Sequence, residues 1–275
     1  MPLTRLFRSL LFFCLSIAAT AAAGPRELSL GTVAMEIPAV MHQRLQPLAA
    51  HLSQSLGRAV RIRPALDLSK AVEDVASGNV DIAYLTPAAY IKAQKTGNVR
   101  IIAKPVTAKG VNMRLMLVVR NESQTRSVRD LVGRSFAFGD EAAILQRAVV
   151  VNAGIQLREF SSYRFLGHYD NIARGVANGD FDAGILKDSM ARAWEQKGLR
   201  ILHASPELPP YNIVVGRNVS PALELRIRAA LLNLNASDPE HRKVLTALDS
   251  SHMGFVPAAD SDYDIVRALI QPFQK

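Results

Sequence analysis

Six histidines and many serines, aspartates and glutamates are scattered through the 275-residue chain, parts enough for acid–base or nucleophilic chemistry. Their spacing builds no catalytic machinery. There is no G-x-S-x-G elbow to present a serine nucleophile, no zinc-binding H-E-x-x-H, no C-x-x-C and no G-x-x-x-x-G-K-[ST] phosphate loop. The one cysteine, Cys14, sits in an N-terminal apolar stretch, so thiolate chemistry is excluded from the rest of the chain. What the residues offer is binding. Thr86 brings a hydroxyl, Lys187 an ammonium and Asp188 a carboxylate, each following a short apolar run. These groups could hold a polar small molecule, or Lys187 and Asp188 could simply pair across the surface. No catalytic residue, metal site or cofactor is expected.

The runs before them are copies of one phrase. "VASGNVDIAYL", Val75 to Leu85, returns 101 residues later as "VANGDFDAGIL", Val176 to Leu186. In each copy Gly78 or Gly179 ends a helix in the left-handed turn that side chains disfavour, and a strand begins near Asp81 or Asp182. Two lobes of like topology, each with a small parallel sheet, explain the repetition; chance likeness between two ordinary helix-to-strand joints is the alternative. Open parallel sheets bind ligands beyond the carboxyl ends of their strands. Thr86-Pro87 and Lys187-Asp188 leave at that end, where a cleft between facing lobes would join them. Asp81 and Asp182 stand at the opposite end, which gives them a structural role.

The rest of the chain keeps this rhythm. Strand "LSLGTVA" precedes a helix whose Met41, Leu45, Leu48, Leu52 and Leu56 form one apolar face. Strands "AVRIRPAL", "DIAYL" and "VRIIAKPV" then alternate with helices "SKAVEDVASG" and "PAAYIKAQKTG". After "MRLMLVVR" the alternation resumes, with helices "SVRDLVG", "EAAILQRAVVVNAG", "NIARGVANG" and "SMARAWEQKG" between strands "SFAFG", "YRFLG", "DAGIL" and "LRILHA". "YNIVVGR" runs back, and helices near residues 220–234, 239–248 and 262–270 close the chain. The fold class is α/β, with a first lobe from residues 24–110 and 218–275, a second from 111–217, and hinge strands near Asn112 to Arg120 and Tyr211 to Arg217.

Apolar residues make up 49% of the chain, enough for one large core or two smaller ones. Residues 1–23 read as a secretory signal: Arg5 and Arg8, an apolar run from Ser9 to Ala19, then Ala21-Ala22-Ala23 as a cleavage site. An uncleaved anchor is the competing reading, but the run falls short of the ~20 residues a span needs. Cleavage removes Arg5 and Arg8 and turns the formal charge of +9 into +7. That surface favours an anionic ligand or an acidic partner, whereas nucleic acid is excluded by the lack of a dense Lys/Arg run with interleaved aromatics.

Several stretches, in their order and spacing, resemble the phosphonate/phosphite/phosphate type of periplasmic solute-binding protein of ABC transporters, which has the two-lobed type II periplasmic-binding fold. They are "PLAAHLSQSLGRAV", "VASGNVDIAYLTPAAYIKA", "SVRDLVGRSFAFGD", "YDNIARGVANGDFDAGILKDS" and the closing "GFVPAADSDYDIVRAL". The resemblance implies an exported, periplasmic, monomeric receptor, without catalytic activity, that closes on a small ligand and delivers it to the membrane permease of an ABC importer. Sensing through a membrane kinase is the other output such lobes can serve.

Two departures from that family bear on the ligand. Where its phosphonate binders open a helix with Ser-Thr-Ser-Gly, this chain has "GDEAAILQ": Asp140 and Glu141 bring negative charge, and Ala142 and Ala143 offer only backbone N–H groups. Those acids either cap the helix or redirect the site to an amine-containing solute. At "LGHYDNIA" Tyr169 stands where the family has a ligand-facing histidine, and His168 comes one residue earlier, either facing the cleft or bonded to the helix start. Tyr90 closes the family's most recognisable block and serves either as a ring over the ligand or as core. Glu36 is a further candidate, Tyr84 reads as core, and the sequence does not place Trp194 or Tyr211.

Overall fold

A computed structural model describes residues 26–33 and 38–273; the signal-like segment with Cys14, and Glu36, lie outside the described residues. In chain order the elements are β1 (Leu28–Thr32), α1 (Pro38–Leu56), β2 (Val60–Pro64), α2 (Leu68–Ser77), β3 (Ile82–Leu85), α3 (Pro87–Thr96) and β4 (Arg100–Thr107). Then follow β5 (Leu115–Arg120), β6 (Ser135–Phe138), α4 (Ile144–Asn152), β7 (Ser162–Phe165), α5 (Tyr169–Asn178), β8 (Ala183–Lys187), α6 (Asp188–Glu195) and β9 (Leu199–Ala204). The chain ends through β10 (Asn212–Val215), α7 (Pro221–Leu232), α8 (Pro239–Leu248), β11 (His252–Pro257) and α9 (Asp264–Ile270). Leu45, Leu48, Leu52 and Leu56 of α1 are all buried, as their spacing requires of a helix lying on a sheet.

Two sheets make the two lobes. The first has strand order β11-β4-β10-β3-β1-β2, the second β7-β6-β8-β5-β9. In each, four strands share one direction and one strand runs against them between two of the four: β10 lies antiparallel between β3 and β4, and β5 antiparallel between β8 and β9. β11 adds an edge to the first sheet, antiparallel to β4. The chain crosses between Thr107 and Leu115 and returns between Ala204 and Asn212, and the two crossings bond at Met113 and Leu208 through N–H···O contacts of 2.8 and 2.9 Å. Each of β5 and β10 thus belongs wholly to one sheet, and the first sheet resumes at Asn212, ahead of residue 218.

The repeated phrase has a common structural basis. Asp81 accepts both the backbone N–H and the hydroxyl of Ser29 at 2.9 Å, while its own N–H donates to Ser29 Oγ at 3.0 Å. Asp182 and Ser135 repeat this clamp with the same three distances. Both preceding helices end at glycine, Gly78 at φ 86° and Gly179 at φ 89°. The clamp ties β3 to β1 and β8 to β6 at the ends remote from the ligand side, so both aspartates are structural.

Three elements differ from their sequence reading. "SVRDLVG" forms only a 3₁₀ turn, Val128–Leu131. "EAAILQ" becomes helical only at Ile144, because Asp140 takes the Ala142 N–H on its side chain and the Ala143 N–H on its carbonyl. The strand β11 was not expected; its Gly254, its register shift and its terminal Pro257 hide the alternation of a strand.

Since β10 and β11 complete the first sheet from beyond the second, limited proteolysis is expected to give no stably folded fragment ending near Arg120. Mass spectrometry of resistant fragments checks this, and a folded fragment of that length is the contrary result.

Candidate functional site

A helix begins where β3 ends, on the ligand side of the first sheet. Thr86 caps α3, its Oγ1 accepting the Ala89 N–H at 3.2 Å, and Pro87, with no N–H to leave unpaired, opens the first turn. The Tyr90 N–H goes to the Thr86 carbonyl at 3.0 Å, leaving the Ala88 N–H without an acceptor among the described residues. Across the cleft, in the first turn of α4, Gln146 is only 2% exposed. Its Oε1 accepts the Gly139 N–H at 2.8 Å, which fixes the orientation of the amide, and its Nε2 is buried with no partner. Thr86, Ala88 and Gln146 line one narrow pocket of about 20 Å³ together with Ala143, Tyr169 and Tyr211. A space of that size admits about one water-sized group, and a buried amide donor left without an acceptor costs about 1–3 kcal/mol.

Tyr169 and Tyr211 also wall a roomier cavity of about 340 Å³, together with Met41, Arg44, Tyr84 and Lys187. Here the lobes are joined by charge. Lys187, at the end of β8, places Nζ 2.6 Å from Asp249 Oδ2 of the first lobe and 5.2 Å from the centre of the Tyr211 ring. Ser189 Oγ donates to the same oxygen at 2.8 Å, and Ser251 donates its N–H and hydroxyl to the other at 3.0 and 2.7 Å. Burial works against the Asp249 charge, but Lys187 and these donors hold its carboxyl well below the ordinary range. Nearby His252 is 2% exposed with Nδ1 unpartnered; burial, then the charge of Lys187, push it down to about 4 against the pull of Asp249.

Of the residues singled out in the sequence, Thr86, Ala143 and Tyr169 meet in the narrow pocket, and Lys187 lies in the adjoining cavity with Tyr84 and Tyr211. Tyr90 turns away: it is 1% exposed, donates to Asp260 at 2.5 Å, and stacks edge-on with Tyr263. Asp140 Oδ2 accepts the Leu68 N–H of α2 at 3.0 Å while Oδ1 holds Ala142, so its carboxylate bridges the lobes. Glu141 is exposed, and the Ala142 and Ala143 N–H groups expected to face a ligand are spent on Asp140. His168 forms the N-cap position of α5 and lines neither cavity; Asp188 accepts the Arg114 N–H at 3.3 Å beside the crossing. Trp194 is partly buried, with Lys197 over its ring. Gln146 had escaped the sequence reading, since a glutamine on a helix carries no signal until its neighbours are known. Among the described residues no group of three His, Cys, Asp or Glu could hold a metal ion, and no helix is long and apolar enough to cross a membrane.

Comparison with known proteins agrees with this two-lobed cleft. The chain is 24% identical to the phosphate-import protein PhnD of Mycolicibacterium smegmatis, over 90% of this chain and 86% of that one. It is 21% identical to the probable ABC transporter phosphite binding protein PhnD1 of Prochlorococcus marinus, over 91% of both. The solved structure of that PhnD1 with methylphosphonate superposes with a TM-score of 0.80 at 19% identity, covering 90% of this chain and 98% of the other. A binding protein component of an ABC phosphonate transporter from Pseudomonas aeruginosa gives 0.78 at 21% identity, covering 88% and 84%. Residues 30–263 match the family described as ABC transporter, phosphonate, periplasmic substrate-binding protein. The chain belongs to that family of periplasmic substrate-binding proteins, the one its sequence resembles.

Proposed function

We propose that the protein captures a small oxyanion of the phosphonate or phosphate class between its lobes, without transforming it, and presents it to the permease of an ABC importer. The observation that carries this reading is the buried Gln146 Nε2, an unpartnered donor in a pocket that also receives the start of α3. Such a pocket offers hydrogen atoms and no carboxylate, so it suits an acceptor-rich anion and disfavours an amine. Asp140 and Glu141, the acids that argued for an amine, are engaged by backbone N–H groups or turned to solvent. In this reading the roomier cavity beside Tyr169 and Tyr211 takes the substituent of the phosphorus.

A thermal-shift screen of the mature protein tests it. Methylphosphonate or phosphate at 100 times its dissociation constant is expected to add about 2.7 kcal/mol of stability, while polyamines and amino acids add none. Gln146→Leu is expected to weaken that binding roughly 10- to 100-fold, the worth of a hydrogen bond to a charged group. Shifts with amines alone would overturn the assignment.

A further inference from the structure

Ala88, at the start of α3, also borders a second groove of about 470 Å³ that has a different character. Leu68 and Val72 of α2, Ala89 of α3, Ile144 of α4, Ile270 of α9 and Phe273 make it apolar. Its charged lining is entirely basic: Lys92 and Lys95 on one face of α3, and Arg147 on α4. Lys92 is exposed. Arg147 donates to the Glu141 carbonyl at 2.8 Å and lies 5.4 Å from the Phe165 ring centre, while its Nε is buried without a partner. An apolar trough with a one-sign rim is complementary to a molecule that joins a hydrocarbon body to a negative end. Its volume falls in the range of small-molecule sites, roughly 300–1,000 Å³.

We propose that this groove binds an amphipathic anion, a short alkyl chain ending in a carboxylate, at a site separate from the polar pocket of the cleft. The chain lies along Val72, Ile144 and Ile270, and the carboxylate is held by Lys92, Lys95 and Arg147. Because α4 belongs to the second lobe and α2, α3 and α9 to the first, the occupant touches both lobes.

Isothermal titration of the mature protein with decanoate, acetate and decyltrimethylammonium tests the proposal. Decanoate is expected to bind at one site, acetate not at all, and the cation at least roughly tenfold more weakly than decanoate. Lys92→Gln is expected to weaken decanoate roughly threefold or more, its side chain being exposed. Ser69→Glu, at the rim on α2, places a like charge against the carboxylate and is expected to do the same with the fold intact, since an acid is tolerated in a first helical turn. Saturating methylphosphonate is expected not to compete: decanoate still binds at one site, its affinity changed only through the lobe closure that both ligands touch. No decanoate binding at about 1 mM, equal binding of the cation, indifference to both variants, or displacement by methylphosphonate would each overturn it.

Discussion

Lys187→Met is expected to lower the melting temperature by about 10 °C, and the double variant Lys187→Met with Asp249→Leu to recover most of that loss. The two side chains are 14% and 8% exposed, so each charge depends on the other rather than on water. Removing the ammonium leaves the Asp249 carboxylate with its serine donors but no counter-charge. The cost of such a break is about 3–5 kcal/mol, whereas replacing a buried pair by apolar groups of similar size is often neutral. Differential scanning calorimetry of the parent, both single variants and the double variant closes the cycle. The contact also spans the lobes, so the single variant is expected to populate a more open form, read as a larger radius of gyration in X-ray scattering. A single variant that melts with the parent and with the double variant would mean that the pair contributes nothing.

Much of the architecture was legible because it rests on local rules. The helix-ending glycines Gly78 and Gly179, the periodicity of α1 and the strand-to-helix step at Thr86-Pro87 each follow from conformational preferences that neighbouring residues disclose. The repeated phrase carried more, since the same residue types placed Asp81 and Asp182 where each could clamp a serine 52 or 47 positions away. The site was less legible because its decisive facts are contacts between distant segments. Asp140 acts on Leu68, 72 residues earlier, and Lys187 on Asp249, 62 residues later. Tyr90 sits in a stretch typical of the family, yet its phenol is claimed by Asp260, 170 residues on. Gln146 is the reverse case: its partner Gly139 is only seven residues away, but nothing in the intervening sequence shows that the amide nitrogen will be buried and unpaired.

Acidification from about pH 7 toward pH 4 is expected to cost about 3 kcal/mol through His252 alone, and His252→Gln to remove that dependence. The ring is enclosed between β11 and the Lys187–Asp249 pair, and its value falls from 6.5 to about 4, chiefly by burial and then by the charge of Lys187. The sign follows from proton counting. Between those two values the unfolded chain binds a proton at this histidine and the folded chain does not, so stability rises with pH across the window. It is fully present above 6.5 and lost progressively as pH falls to about 4, where the folded ring also protonates. The carboxyls act in a separate window. Asp249, Asp260 and Asp262 are all held below 3.8 in the folded protein, so their contribution is complete above that value and is lost only as pH falls further. Urea titrations at intervals of about half a pH unit distinguish the two, because the parent curve should slope through the histidine window while the glutamine variant stays level until the carboxyls titrate. Equal slopes in parent and variant would place the acid sensitivity elsewhere. A level curve for His252→Gln would show that one buried imidazole beside the interlobe pair makes the folded protein sensitive to mild acid.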